Sequence, residues 1–275
     1  QFKELKYSTK ILKTNDINQN FSSNSLKILD LDLKFKNPFK VSRKSASKFI
    51  INSLNLAHNI ALKKDILGIV NCAINKKLLN KKNMGVTEFL ASECKIKNNS
   101  EVMLITNNKY AVSPITTHLD IKDISKNLSS KKIISKVITI NAWLKIVKKR
   151  KPRIGILGLN PHNAELSKKS EEKKIIIPAI NKLKRKGINI NGPLVSDTVF
   201  IKDYKKYDVI IGMFHDQVIT PFKTLFKFDA VNITLGLKYL RMSPDHGTAI
   251  NLIKKNKANP TSLIKCLEFL GNNKK

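Results

Sequence analysis

Apolar residues along this 275-residue chain fall into two alternating patterns. Short runs rich in β-branched residues occupy 66–71, 102–106, 110–113, 153–159, 188–191, 208–214 and 230–234, and each reads as a strand. Between them apolar residues recur at helical spacing. In 45–61 these are Phe49, Ile50, Leu54, Leu56, Ala57, Ile60 and Ala61, which leaves His58 on the helix surface. A long helical stretch covers 121–149, interrupted near Ser129-Ser130. Another covers 171–186, with Ile175, Ile176, Ile177, Ala179, Ile180 and Leu183 inward, Gly187 as its stop, and Pro178 as a kink or a true start. Asn107-Asn108 separates two strand runs as a hairpin turn. Residues 1–45 are polar and irregular apart from an apolar island at 26–33 that reads as one strand. Strands alternating with helices predict an α/β fold with a mainly parallel sheet.

Composition adjusts this picture little. The formal charge is +32, from 52 Lys and Arg against 20 Asp and Glu, which on its own points toward nucleic acid. The excess is mostly Lys, is spread along the whole chain and travels with abundant Asn and Ile, and the few aromatics are not interleaved with it as stacking platforms. Pairs such as Lys131-Lys132 and Lys173-Lys174 fit solvated helix faces, so nucleic acid is not the expected partner. Cys72, Cys94 and Cys266 lie far apart in no CxxC spacing and indicate neither a disulfide framework nor a thiolate metal site. No apolar stretch has the length of a membrane span, and no signal-peptide pattern opens the chain, so a cytoplasmic protein is expected.

The chemistry concentrates at three histidines: His118 after Thr116-Thr117, His162 within Asn160-Pro161-His162-Asn163-Ala164-Glu165, and His215 within Phe214-His215-Asp216-Gln217. His162 and His215 directly follow strand-like runs, and ligands of open α/β sheets lie beyond the carboxyl ends of strands. Each alone reads first as an ordinary polar loop residue. Three imidazoles converging would make a metal site with a coordination position left open. Lys223 and Arg241 are candidate anion binders, and Asp216 and Asp197 candidate bases or orienting carboxylates, Asp197 competing with a helix-cap role. The segment Asp245-His246-Gly247-Thr248-Ala249 is either a turn opening a helix or a loop offering backbone N–H groups to a nucleotide.

Together these words resemble the 4-hydroxythreonine-4-phosphate dehydrogenase family of pyridoxal phosphate biosynthesis. The matching segments are Thr116 to Leu119, Leu159 to Glu165, Asn191 to Leu194 with Ser196 to Thr198, His215 to Gln217, Val231 to Leu237 and Asp245 to Ala249, in order from about Leu29 onward. The resemblance implies the isocitrate/isopropylmalate dehydrogenase-like fold, two α/β domains with the active site in the cleft, completed across a homodimer. The corresponding boundaries are 1–95 with 250–275 for the first domain and 96–249 for the second. It implies His118, His162 and His215 as ligands of one divalent metal (zinc, magnesium or cobalt) and Thr87, Lys223, Asn232 and Arg241 as substrate-binding residues. It also implies NAD, bound without a GxGxxG fingerprint, with His246, Gly247 and Thr248 on the adenine side. The implied reaction is oxidation of 4-phosphohydroxy-L-threonine by hydride transfer to NAD. Asp216 or Asp197 receives the hydroxyl proton, and the β-keto acid then decarboxylates to 3-amino-2-oxopropyl phosphate.

Three departures qualify the match. Val86 stands where the family's Gly-His-Thr-Glu word has its histidine, and Cys72-Ala73-Ile74-Asn75-Lys76 replaces a Gly-Pro-Val turn. The family's glycine-rich first strand has no counterpart, and the chain begins with Gln1, so an N-terminal truncation is expected, leaving the first domain's sheet one strand short. Two alternatives follow: a related dehydrogenase acting on another phosphorylated hydroxy acid, or a non-catalytic, basic, nucleic-acid-binding descendant.

Overall fold

The computed structural model describes residues 8–12, 25–63, 66–79, 85–96, 100–107, 109–253 and 255–272. The chain divides into two compact units, Gln1–Leu56 and Ala57–Lys275. In the first, strands β1 (Ser8–Leu12) and β2 (Ser25–Leu29) pair in parallel, and most of helix α1 (Arg43–Ala61) follows. β1 falls in a stretch whose polar composition predicts no strand. The apolar island at 26–33 is strand only as far as Leu29. His58 corrects another expectation: it is 6% exposed, not a surface residue. It sits one turn after Leu54 on the same helix face, and its Nδ1 is satisfied 2.9 Å from the Tyr239 hydroxyl.

The second unit is built on one eight-stranded sheet. Its strands are β3 (Gly68–Val70), β4 (Val102–Thr106), β5 (Ala111–Pro114), β6 (Ile154–Leu157), β7 (Ile190–Leu194), β8 (Val209–Gly212), β9 (Val231–Leu235) and β10 (Leu240–Pro244), in the spatial order β3-β10-β9-β4-β5-β8-β6-β7. The run β5-β8-β6-β7 is parallel throughout and β10 pairs in parallel with β3, while β9 is antiparallel to both its neighbours and β4 and β5 form the expected antiparallel hairpin. In that hairpin the Asn107 side chain accepts from Tyr110 N; Asn108 lies outside the described residues. The sheet is thus mixed and mostly parallel, as an α/β reading requires. β10 escapes the sequence pattern because a buried Arg241 interrupts its apolar run.

Helices α2 (Val86–Glu93), α3 (Ile124–Asn127), α4 (Ser130–Lys148), α5 (Ile177–Arg185), α6 (Ser196–Val199), α7 (His215–Phe226) and α8 (Thr261–Asn272) complete the unit. The break between α3 and α4 falls at Ser129, which caps α4 by accepting from Lys132 N. Pro178 lies at the start of α5, after a π turn over Glu172–Ile176, so it marks a start and not a kink. Ile133, Val137 and Ile140 of α4 and Ala179, Ile180 and Leu183 of α5 close over Ile154, Ile156, Val209 and Ile211 of the sheet, all buried. Strands covered in this way read as continuous apolar runs, which is why the pattern reveals them.

Candidate functional site

The parallel run of strands orders the chemistry. β5, β8, β6 and β7 are neighbours in that sequence, and beyond their carboxyl ends come His118, His215, His162 and Asp197 in the same spatial order. The ends are stitched together. Thr116 Oγ1 donates to Met213 O at 2.7 Å, joining the end of β5 to that of β8. Gly158 N donates to Leu194 O at 3.1 Å, joining β6 to β7.

His118 and His215 come together, their ring centroids 6.1 Å apart. Each ring turns one nitrogen toward a carboxylate: His215 Nδ1 lies 2.7 Å from Asp216 Oδ1, and His118 Nδ1 lies 3.7 Å from Glu88 Oε1. A carboxylate behind one imidazole nitrogen orients the ring and leaves the other nitrogen as a ligand atom, so the pair suits a divalent cation in donor chemistry. His118 Nε2 is met by Lys76 Nζ at 2.7 Å. Burial alone would raise the Glu88 carboxyl, but His118 and the Gly85 amide, 2.9 Å from Oε2, hold it below the usual carboxylate value.

His162 is not gathered with this pair. It is exposed, on a turn in which His162, Asn163, Ala164, Glu165 and Leu166 all have φ between +47° and +57°. Five successive non-glycine residues in the left-handed region are strained, and the surroundings hold them there. Glu172, fully buried, accepts from Leu159 N and Asn160 N, both at 2.8 Å, and from Asn160 Nδ2 at 3.0 Å. Burial pushes its carboxyl up, but these donors outweigh burial and lower it. Among the described residues no group of three or more His, Cys, Asp or Glu is assembled around one point.

Beside the two histidines opens a cavity of about 320 Å³ lined by His118, Thr87, Lys223, Asn232 and Arg241, by His246 and Gly247, and by Lys76, Val86, Glu88 and Asp245. All four expected substrate positions therefore share one wall with one candidate metal ligand and two of the three nucleotide-side residues. Thr248 is exposed outside the lining, as are the expected carboxylates Asp197 and Asp216. A smaller cavity of about 250 Å³, around Trp143, Leu144 and Phe269, lies away from all of these groups.

Arg241 is the most unusual group here. It is 3% exposed and bonded only to neutral oxygens: Asn71 Oδ1 at 2.7 Å, Thr234 Oγ1 at 3.0 Å and Thr87 Oγ1 at 3.3 Å. Burial pushes the guanidinium down to about 10. A buried cation with no carboxylate in hydrogen-bonding contact, lining a cavity, has the chemistry to pair with an anion. Asn232 Oδ1 is also buried without a partner. Asp245 Oδ2 lies 3.2 Å from Lys223 Nζ but out of hydrogen-bond alignment, and burial raises its carboxyl despite that cation. Glu88, Lys76 and Asn71 carry no signal in the sequence pattern, because their roles arise from pairings with residues distant in sequence, His118 for the first two and Arg241 for the third.

A mostly parallel α/β protein with paired imidazoles at strand ends and a cationic cavity beside them belongs to the class that binds and transforms small anionic metabolites. The chain is a member of the family described as pyridoxal phosphate biosynthetic protein PdxA, whose model matches residues 2–270. It is 37% identical over 251 residues to a 4-hydroxythreonine-4-phosphate dehydrogenase of a Sulfurihydrogenibium species, covering 89% of this chain and 75% of that one. It is 31% identical over 251 residues to a D-threonate 4-phosphate dehydrogenase of Pectobacterium atrosepticum, covering 88% and 76%. The crystal structure of a 4-hydroxythreonine-4-phosphate dehydrogenase from Klebsiella pneumoniae matches with a TM-score of 0.82 at 28% identity, over 97% of this chain and 83% of that one.

Proposed function

We propose that this chain oxidises 4-phosphohydroxy-L-threonine with NAD to 2-amino-3-oxo-4-phosphooxybutanoate, which decarboxylates to 3-amino-2-oxopropyl phosphate, in pyridoxal phosphate biosynthesis. The observation that carries the reading is Arg241, a buried guanidinium in hydrogen bonds to neutral groups alone, facing the same cavity as Lys223 and His118. Two cations suit a substrate with a phosphate at one end and a carboxylate at the other. Thr87 and Asn232 supply neutral polar atoms between them. His118, His215 and His162 would hold a divalent cation, which would supply Lewis-acid polarisation of the substrate hydroxyl. The His118–His215 pair supports that assignment; His162 would join it with the site completed between two copies of the chain, as a homodimer. Asp216 or Asp197 takes the hydroxyl proton, with Asp245 a third carboxylate on the cavity wall; His246, Gly247 and Thr248 would hold NAD, which would supply the hydride acceptor.

The cavity takes Asn71 and Glu88 from the expected range 1–95 and His118, Asn232 and Arg241 from 96–249, all of them within the unit Ala57–Lys275. Among the described residues no helix is long and apolar enough to cross a membrane, in keeping with a cytoplasmic enzyme. Val86 in the cavity wall, together with the D-threonate 4-phosphate dehydrogenase relative, motivates a second reading in which the substrate is another phosphorylated hydroxy acid. Both are tested by following NADH formation with 4-phosphohydroxy-L-threonine and D-threonate 4-phosphate side by side, with and without divalent metal. Turnover of the first substrate alone establishes the proposed function; turnover of the second alone replaces it.

A further inference from the structure

The His215-Asp216-Gln217 word leaves its third residue without a role, and the geometry gives it one. We infer that Gln217 is the positioning residue of this site: a single side-chain amide that locks the carboxyl ends of β8, β6 and β7 together. It thereby fixes where His215, His162 and Asp197 stand.

Gln217 uses both faces of its amide. Oε1 accepts from Met213 N at 2.7 Å, just past the end of β8 and two residues before His215. Nε2 donates to Gly158 O at 2.7 Å, just past the end of β6 and four residues before His162. Nε2 donates again to Ser196 Oγ at 2.8 Å, beyond β7 and next to Asp197. One acceptor and two donors at that reach are what a glutamine offers and a glutamate does not; asparagine is one methylene too short. The backbone leaves space for the amide. A Cβ on Gly212, which ends β8, would lie 3.0 Å from Gln217 Oε1 and 2.6 Å from Val218 Cγ1. Gly158, the residue that receives the bond, has no room for a side chain either, since a Cβ there would meet Asn163 Oδ1 at 2.0 Å.

The purpose follows from the strain beyond Gly158. The left-handed turn that carries His162 is strained, so its shape depends on how the chain entering it is held. Glu172 fixes the amides of Leu159 and Asn160, while Gln217 fixes the carbonyl of Gly158 and links it to the segment that carries His215. Parallel strands bonded to one another leave their emerging loops free to splay. A three-way amide removes that freedom at the point where the loops diverge.

This inference rests on the reading of His215 and His162 as metal ligands, and its test separates the two. Wild-type, Q217M and S196A full-length proteins are compared in cobalt(II) binding by visible absorption, in kcat and KM, and in amide hydrogen exchange of 158–166 and 213–217 without metal. Methionine matches the volume of glutamine without its hydrogen bonds. For Q217M, cobalt affinity is expected to fall on the order of 10- to 100-fold. Its kcat should drop while substrate KM holds, and exchange in both segments should accelerate. Unchanged exchange and unchanged cobalt affinity overturn the inference. If the wild type itself neither binds cobalt nor turns over, the functional reading fails, and hydrogen exchange alone still decides whether Gln217 sets the loops. If Q217M does not fold, S196A, which removes one of the three partners, is expected to shift cobalt affinity and exchange in the same direction by a smaller factor; an S196A protein identical to wild type overturns the inference.

Discussion

The ammonium nitrogen of Lys76 lies 2.7 Å from Nε2 of His118, the imidazole nitrogen that faces away from Glu88. A cation therefore stands where a metal ion would share the same lone pair. Lys76 and a divalent ion repel each other, and at an exposed position that repulsion amounts to about 2 kcal/mol before salt screening and roughly half of that with it. K76M is expected to bind zinc or cobalt about fivefold more tightly than wild type, measured by competition with a chelator. Equal or weaker binding would mean that Lys76 swings clear of His118 when the ion enters.

Arg241 gives the sharpest test of the cavity. R241M removes a buried guanidinium poised for a substrate anion, a loss of about 3 kcal/mol of transition-state stabilisation or on the order of 100-fold in kcat/KM. R241K retains the charge but lacks the fork that spans Asn71, Thr87 and Thr234, and is expected to recover less than about a tenth of the lost activity. Inorganic phosphate should raise the melting temperature of wild type and leave that of R241M unmoved. A phosphate-dependent shift retained in R241M would assign the anion to Lys223 alone.

Asp245 couples function to stability with a definite sign. Burial raises its carboxyl above the unfolded value, so this group favours the fold most when protonated, and that contribution is lost as pH rises through the folded value. D245N abolishes the loss. It is expected to melt higher than wild type near neutral pH, with the difference vanishing in acid, while substrate KM falls because Lys223 no longer has a competing carboxylate beside it. A D245N protein less stable than wild type at neutral pH would show that the Lys223 contact outweighs burial.

At the other end of the same strands the electrostatics serve the fold. Asp208, 4% exposed, takes both terminal nitrogens of Arg150 at 2.7 and 2.8 Å and the backbone N of Arg153 at 2.7 Å, tying the amino ends of β6 and β8. Burial alone would raise this carboxyl; the guanidinium and amide hold it down to about 2. A lowered value means stability that is fully present above about pH 4 and lost as pH falls through about 2, roughly 2 kcal/mol in all. D208N should lower the urea-unfolding free energy by about that amount at neutral pH. The gap to wild type should close steadily in acid; a constant gap would assign the loss to packing.

The residues that could be read in advance share a physical origin. Ile154 to Leu157 and Val209 to Gly212 are buried on both faces, so they read as uninterrupted apolar runs, and the histidines after them fall at the sheet edge where loops carry chemistry. What stayed hidden depends on distant partners. Lys136 is 6% exposed inside α4 because its ammonium reaches Glu101 O at 2.7 Å, a contact no helical spacing reveals. The left-handed turn at His162 contains no glycine to announce it, and Gln217 resembles any other polar helix residue until three loop ends are seen around its amide.

Gly158 offers a final test, of that hidden turn. A methyl group there would lie 2.0 Å from Asn163 Oδ1 and 3.1 Å from Glu172 Oε1, both buried, with little room to move. Asn163 Nδ2 donates to Pro193 O at 3.1 Å, so displacing that side chain also loosens the turn from β7. Overpacking of this kind costs about 1–3 kcal/mol, or roughly 3–10 °C in melting temperature for a chain of this size. The matched control is G271A, in α8, where a Cβ meets nothing within 4 Å and alanine favours the helix. G158A is expected to melt lower and to lose cobalt affinity, while G271A keeps or gains stability with unchanged affinity. If G158A lost stability alone, with metal binding intact, the strained turn would belong to the fold and His162 would not depend on it.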